Sequence, residues 1–315
     1  MSDSATPSGA ALVEELLADL AAESDDLDQL VAGLDRGGWL RPTPASGWTI
    51  AAQIAHLAWT DDLALLAASR PDDFLAELNR LVATGATADL ADRVARDQAG
   101  DGGQPLLHRW RYGRAQLDQA LRQVPVGHAL PWFGPPMSAA SMATARLMET
   151  WAHGQDVADA LGVHRAPTAR LRHVARLATR TRDFAFALHA KPLPASAFRV
   201  ELAAPDGAIW TFGPADADQR VTGPALDFCL LAVRRIHRAD TALVATGTDT
   251  DAWLDIVQAF AGPAGGSRSP RSRTDSPGGS TAQPGGGTAQ PDGGTAQPGG
   301  GTAQRGSRDD PSAQP

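Results

Sequence analysis

The sequence predicts a mainly α-helical protein: a four-helix bundle, then a small α+β domain, then a disordered tail rich in glycine and proline. Three observations lead to this fold class. Apolar residues recur at spacings of three and four through most of the first 166 residues, a pattern typical of amphipathic helices. Beyond residue 167, short alternating segments are separated by turn residues. From Pro263 to the C-terminus there is no Leu, Ile, Val, Met or aromatic residue.

Four long amphipathic helices are predicted within the first domain, which we place at residues 10–166. They cover residues 11–34, 50–68, 106–124 and 139–161. Thr49 and Ser138 directly precede the second and fourth of them, and both residue types cap helix N-termini well. Shorter helices are expected at 72–82 and 90–97, with a loop at 37–47. Four helices of this length with one long crossover connection indicate a helical bundle.

The second domain, predicted at residues 168–262, combines helices with a small sheet. Helices are expected at 170–190, 225–235 and 250–260, and strands at 197–204, 208–212, 219–222 and 242–246. Pro205-Asp206-Gly207 separates the first two strands. Because proline presets φ and glycine tolerates a positive φ, this tripeptide predicts a hairpin turn. We expect Thr248 or Thr250 to cap the last helix.

Residues 263–315 form the predicted tail. They hold 13 of the 32 glycines, and Thr-Ala-Gln recurs every seven residues from Thr281 to Thr302. Without large apolar side chains this stretch cannot bury a core, so we predict a disordered low-complexity extension. We expect its removal to leave the thermal stability almost unchanged.

Charge and composition exclude several classes of protein. The 28 basic and 36 acidic residues give a net charge of −8, which argues against a nucleic-acid partner. No apolar run reaches the roughly 18 residues of a membrane span, and the N-terminus lacks the pattern of a signal peptide. The single cysteine, Cys229, allows neither an internal disulfide nor a cysteine-based zinc site. These features favour a cytoplasmic protein without membrane or nucleic-acid partners.

Three side chains on the second and fourth helices are candidate metal ligands. Glu149 and His153 are four residues apart and therefore share one helix face. His56 lies in an almost wholly apolar run, where an imidazole needs a hydrogen-bond partner or a metal ion. If the two helices pack together, two imidazoles and one carboxylate suit zinc or another divalent first-row metal. On spacing alone a hydrogen-bonded core histidine is the more common alternative, because Glu–His pairs four residues apart are frequent.

Other residues near these positions leave alternatives open. Asp156 continues the face of Glu149 and His153, and it could orient a ligand imidazole or pair with Arg146 or another arginine. The apolar segment Trp132–Ser138 is either a wall of the site or a packed structural plug. Cys229 lies in an apolar run, which predicts a buried structural thiol.

Two motifs carry a resemblance to a known family. The segment Pro44-Ala45-Ser46-Gly47-Trp48-Thr49-Ile50, followed by His56-Leu57, resembles the Gly-Trp-Thr…His-Leu signature of the DinB-like superfamily. It is more closely similar to that of the mycothiol-dependent maleylpyruvate isomerase family. That family's second signature is Glu-x-x-x-His, often with a following aspartate, on the last bundle helix, and Glu149, His153 and Asp156 match it.

The second domain extends the resemblance to about residues 10–262. Val221–Ala225 fits the strand and turn of the family's C-terminal domain, and Leu230–Arg235 fits its apolar helix ending in arginines. An arginine of this domain contributes to the isomerase site. Arg235 is our candidate catalytic residue and Arg234 is the alternative. A structural interpretation explains both arginines equally well: they would lie at a helix end and bind its last carbonyl groups.

The resemblance implies that His56, Glu149 and His153 bind a divalent metal, usually zinc, with Asp156 as supporting residue. In the isomerase the thiol of mycothiol meets the metal, adds to an unsaturated small-molecule substrate, and leaves after bond rotation. Our leading interpretation is therefore a metal-dependent isomerase or transferase that uses a low-molecular-weight thiol. The alternatives are a non-catalytic metal-binding stress or regulatory module, and a helical scaffold in which Glu149 bonds a histidine and no metal enters.

Overall fold

The computed structural model describes residues 9–83, 90–266 and 268–270. The described helices are Gly9–Val31 (α1), Arg36–Trp39 (α2), Ile50–Ser69 (α3), Pro71–Ala83 (α4), Leu90–Ala99 (α5), Gln104–Gln123 (α6), Ala139–Leu161 (α7), Leu171–Arg180 (α8), Arg182–Leu188 (α9), Ala225–Ala232 (α10) and Thr248–Ile256 (α11). The strands are Phe198–Ala203 (β1), Ile209–Phe212 (β2), Gln219–Pro224 (β3) and Val244–Thr246 (β4). The predicted mainly α fold is confirmed. Most of the predicted disordered tail lies outside the described residues.

The four long helices α1, α3, α6 and α7 pack together as the predicted bundle. Helix α3 lies at its centre, with buried residues on every side of the helix. The predicted N-caps are confirmed. The Thr49 hydroxyl accepts a hydrogen bond from the Ala52 amide at 3.2 Å, and the Ser138 hydroxyl accepts one from the Ser141 amide at 3.2 Å. Both caps fix where the two central helices begin.

The sheet has the strand order β2-β1-β3-β4. Strands β1 and β2 are antiparallel across the predicted turn, in which Gly207 has a φ of 84°. Strand β3 pairs parallel to β1 on its other side, and β4 pairs antiparallel to β3. One face of the sheet buries Val200, Leu202 and Val221 in a core shared with α8, α10 and α11.

Helix α7 belongs to two cores. Met142 and Ala143 pack inside the bundle, whereas Leu147, Met148 and Trp151 pack in the core around the sheet and α8. The helix that carries the candidate ligands is therefore covered from both sides. All described residues belong to one compact unit, and the division into domains near residue 167 stays a prediction.

Three local expectations are wrong. The helix predicted at 170–190 is broken at Thr181, whose hydroxyl donates to the carbonyl oxygen of Gln258 at 2.8 Å. The loop predicted at 37–47 overlaps the single turn α2, which Asp35 caps through the Gly38 amide. Neither Thr248 nor Thr250 caps helix α11, which is preceded by Gly247. Instead, Oε1 of Gln219 accepts hydrogen bonds from the amides of Asp249 and Thr250 in the first turn. Each difference arises from a side-chain bond between segments distant in sequence, or from a short local cap.

The chain beyond α11 returns to α7. The buried side chain of Gln258 donates to the carbonyl oxygen of Pro263 and accepts from the Gly265 amide. Arg268 donates to Asp156 at 2.7 Å and to Asp159 at 2.6 Å. These contacts extend past the predicted boundary at residue 262, so the first residues of the predicted tail pack against the folded chain.

A buried carboxylate ties α1 to the segment between α7 and α8. The Glu23 side chain is 1% exposed and accepts hydrogen bonds from Arg165 and from Arg170, the latter at 2.8 Å. Arg165 also donates to the carbonyl oxygen of Trp151 at 3.0 Å. This buried carboxylate is therefore one of the links between the bundle and the second half of the chain.

Replacement of Glu23 tests this connection. Glu23→Gln leaves two arginines facing a neutral amide, so we expect the free energy of unfolding to fall by about 3 kcal/mol in urea denaturation. The control is Glu77→Gln on α4, which removes an exposed pair with Arg80 and should have little effect. Equal losses in the two variants would contradict the role of Glu23.

Two truncations test the C-terminal boundary. Removal of residues 271–315 takes away no large apolar side chain, so the melting temperature should stay unchanged in circular dichroism. In contrast to the expectation from the sequence, removal of residues 263–315 also eliminates the ion pairs of Arg268, so the melting temperature should fall by about 2 to 6 °C. Identical melting curves for the two truncations would show that the 263–270 segment contributes no stability.

Candidate metal centre

Helices α3 and α7 run antiparallel, and three polar pairs lie in a row between them. The pairs are Gln53 with His153, His56 with Glu149, and Asp61 with Arg146. Residue numbers rise along one helix while they fall along the other, as antiparallel packing requires. Because buried polar groups persist in a core only when they are paired, this row identifies the chemically distinctive part of the bundle.

The three candidate ligands converge on one point. Nε2 of His153 lies 3.1 Å, and Nε2 of His56 lies 3.5 Å, from the same oxygen, Oε2 of Glu149. One donor atom of each residue lies within 4.8 Å of the other two. A tetrahedral zinc ion with bonds of about 2.0–2.1 Å would separate its ligand atoms by about 3.3 Å. The residues therefore fit a shared divalent ion.

Burial and mutual charge set the protonation states of the cluster. Burial lowers the pKa of His153 from 6.5 to about 4, and the neighbouring His56 contributes in the same direction. Burial raises the pKa of Glu149, but the neighbouring His153 and His56 side chains outweigh burial and hold that pKa well below 4.5. A neutral imidazole and an ionised carboxylate at neutral pH are the forms that bind metals.

Gln53 contacts the other nitrogen of His153. Oε1 of this fully buried glutamine lies within hydrogen-bond distance of Nδ1, while its Nε2 donates to the Thr43 hydroxyl at 2.9 Å. Sequence reasoning missed Gln53. The available signal was a lone amide side chain three residues before His56, on the same face of an otherwise apolar helix.

Asp156 contacts arginines and no ligand imidazole, contrary to the prediction that it orients one. Its carboxylate is 1% exposed and accepts from Arg235 at 2.6 Å on Oδ2 and from Arg268 at 2.7 Å on Oδ1. The alternative of an arginine pair is the one observed, although the partner is not Arg146, which instead pairs with Asp61 at 2.8 Å.

The end of α10 directs Arg235 toward this carboxylate. The Arg234 amide donates to the carbonyl of Leu231 and the Arg235 amide donates to that of Leu230, which is a Schellman motif. Arg234 has a φ of 61° at the position where glycine is usual. After this reversal Arg235 reaches Asp156, and its charge lowers the pKa of His153. Arg234 instead donates to the carbonyl of Asp255, so only Arg235 of the two candidates lies beside the cluster.

Aromatic rings enclose the histidines. The Trp48 indole stacks on His153 with ring centroids 5.6 Å apart, and it meets His56 edge-on at 5.4 Å. Its Nε1 donates to Asp92 of α5 at 2.9 Å, which fixes the ring. Trp59 lies 6.2 Å from His56. The side chains of the two histidines are 10% and 11% exposed and that of Glu149 is 23% exposed, so solvent reaches the cluster on the carboxylate side.

Two further expectations concern residues outside the cluster. Trp132 stacks on Phe74 with ring centroids 5.6 Å apart, and Leu130 pairs with Met137, which favours the plug interpretation of this segment. Cys229 is fully buried and burial raises its pKa, as expected of a structural thiol.

In the part of the chain that the structure describes, no helix is both long and apolar enough to cross a bilayer.

Comparison with known proteins identifies the family. The family model "Mycothiol maleylpyruvate isomerase N-terminal domain" matches residues 20–158, and the model "Wyosine base formation" matches residues 194–246. Two relatives from two strains of Mycobacterium tuberculosis, both described as uncharacterized proteins, are 54% identical over 252 residues, covering 80% of this chain and 97% of each relative.

The solved structures agree in fold. The crystal structure of the mycothiol-dependent maleylpyruvate isomerase, and that of a variant with one histidine replaced by alanine, each match with a TM-score of 0.51 and 16% identity. The match covers 74% of this chain and 92% of theirs. The chain belongs to the mycothiol-dependent maleylpyruvate isomerase family, as its motifs indicated.

Proposed function

We propose that this protein binds a divalent metal ion, with zinc as the first choice, through His56, Glu149 and His153. We further propose that it uses the ion to activate a low-molecular-weight thiol, with mycothiol as the first choice, for isomerisation or transfer on a small electrophilic substrate. One observation carries the proposal: two imidazole nitrogens approach the same carboxylate oxygen at 3.1 and 3.5 Å.

The charge states of the cluster support a cation there. His153 is neutral at pH 7 because its pKa is lowered to about 4, and Glu149 is ionised. Nδ1 of His56 is buried and has no hydrogen-bond partner among the described residues, so this imidazole is not held as an ordinary core histidine. A divalent ion between Nε2 of His56, Nε2 of His153 and Oε2 of Glu149 would neutralise the carboxylate and accept a lone pair from each imidazole, which favours a metal site over a purely structural scaffold.

The surrounding residues supply what a thiol-dependent reaction needs. When bound, the ion would lower the pKa of a coordinated thiol so that thiolate is available at neutral pH. Trp48 limits the access of water to the histidines. Within the described residues, Arg235 uses three of its five N–H groups in hydrogen bonds to Asp156 and to the carbonyl of Val233, which leaves two for an anionic substrate group.

An isomerisation in this site requires no other reactant. A bound thiolate would supply reversible addition to a conjugated double bond, with the electron pair taken up by the substrate's carbonyl or carboxylate. Rotation about the resulting single bond and loss of the thiolate would restore the double bond, so atoms and charge balance. We assign to Arg235 the binding of the carboxylate that would gain charge during addition.

Metal analysis tests the ligand set. The purified protein should contain about one divalent ion per chain, and His56→Ala, Glu149→Ala and His153→Ala should each lose most of it in elemental analysis. The control is His164→Ala, which changes an exposed histidine just after α7. Wild-type metal content in His56→Ala and His153→Ala would show that the ligand set is wrong.

Thiol consumption separates an enzyme from a metal-binding module. With mycothiol and a panel of electrophiles, the wild-type protein should turn over at least one substrate, and Glu149→Ala should reduce the rate to background. Arg235→Ala should keep its metal and raise KM for carboxylate-bearing substrates by about 10- to 100-fold, since a charge-assisted bond is lost. Bound metal without turnover above the Glu149→Ala control would favour the non-catalytic regulatory or stress module.

A further inference from the structure

We propose that Gln53 and Thr43 form a positioning relay that fixes the tautomer of His153, so that its Nε2 lone pair stays directed at the metal position. This inference rests on the proposed function and adds two residues that neither the motifs nor the family resemblance assigned. The inference is based on the hydrogen bonds between α3 and the loop that precedes it, which contains Trp48.

The direction of the relay follows from one backbone carbonyl. The carbonyl oxygen of Trp48 can only accept a hydrogen bond, so the Thr43 hydroxyl, 3.0 Å away, donates its single proton to this oxygen. The Thr43 oxygen is then an acceptor for Gln53, and the amide nitrogen of Gln53 lies 2.9 Å from it. The carbonyl oxygen Oε1 of Gln53 must therefore be the atom that faces His153.

This orientation decides which nitrogen of His153 carries the proton. Because Oε1 of Gln53 accepts only, Nδ1 of His153 must be protonated to make the bond. In the neutral imidazole the lone pair is then on Nε2, which lies 3.1 Å from Oε2 of Glu149. Two acceptors that face each other at this distance repel unless a cation lies between them, so the relay prepares the site for a metal ion.

The loop that begins the relay is itself rigidly held. The Thr43 amide donates to the same Trp48 carbonyl at 2.8 Å, and the Ile50 amide donates to the Arg41 carbonyl at 3.1 Å. Gln53 is fully buried, so water does not compete for its amide. The loop that contains Trp48 therefore does more than stack an indole on a histidine. Through Thr43 and Gln53, its backbone decides which nitrogen of His153 carries the proton.

Paired substitutions distinguish positioning from packing. Gln53→Leu keeps the volume but removes the acceptor, whereas Gln53→Glu keeps an acceptor for Nδ1. Thr43→Val removes the hydroxyl that orients the amide. The matched control is Thr60→Val, since the Thr60 hydroxyl is also buried but bonds only carbonyls of its own helix.

Two measurements are made on each protein. Long-range ¹H–¹⁵N spectra of the metal-free protein report which nitrogen of His153 is protonated, and competition with a chromophoric chelator gives the affinity for zinc. Wild type, Gln53→Glu and Thr60→Val should show a protonated Nδ1. Gln53→Leu and Thr43→Val should gain the Nε2-protonated form and bind zinc about 10- to 100-fold more weakly.

The two proposals fail in different ways. A wild-type spectrum and wild-type zinc affinity in folded Gln53→Leu would overturn the relay. Thr43→Val provides the same test if Gln53→Leu does not fold. If the wild-type protein binds no zinc and no other divalent ion, the proposed function fails, while the spectra of the metal-free proteins still decide whether Gln53 sets the tautomer.

Discussion

The antiparallel contact between α3 and α7 is the constraint on which the site depends. It buries a row of polar pairs in the middle of a bundle, and each member would destabilise the core if its partner were absent. Asp61 and Arg146 form a buried ion pair through Nε of the arginine. At Glu149 an ionised carboxylate oxygen lies 3.1 and 3.5 Å from two imidazole nitrogens, and this convergence is the observation that supports a metal ion.

Two other parts of the chain contribute side chains to the contact between α3 and α7. The loop before α3 supplies the Trp48 ring and, through its carbonyl, the orientation of Gln53. The second half of the chain supplies Arg235, and the segment after α11 supplies Arg268, both bound to the buried Asp156 of α7. The bundle brings the candidate ligands together, but the arginine beside them comes from the end of α10, outside the bundle.

Patterns that depend on neighbouring residues were predicted well. Apolar spacing located the four bundle helices, Thr49 and Ser138 were recognised as caps, and Pro205-Asp206-Gly207 located the hairpin. Predictions failed where a distant residue decides the outcome. Thr181 ends α8 because its hydroxyl bonds a carbonyl near residue 258. For Asp156 the sequence left an imidazole or an arginine open as the partner, and arginines from two other segments contact its carboxylate.

The sequence by itself determined the helices, the sheet with its turn, the identity of the three candidate ligands and the family. It could do so because helical periodicity, capping and short motifs are properties of residues a few positions apart. Only the tertiary structure decided the register of α3 against α7, the choice of Arg235 over Arg234, and the link from Thr43 through Gln53 to His153. Those depend on contacts between residues up to a hundred positions apart, which form only when the helices pack, so no local pattern encodes them.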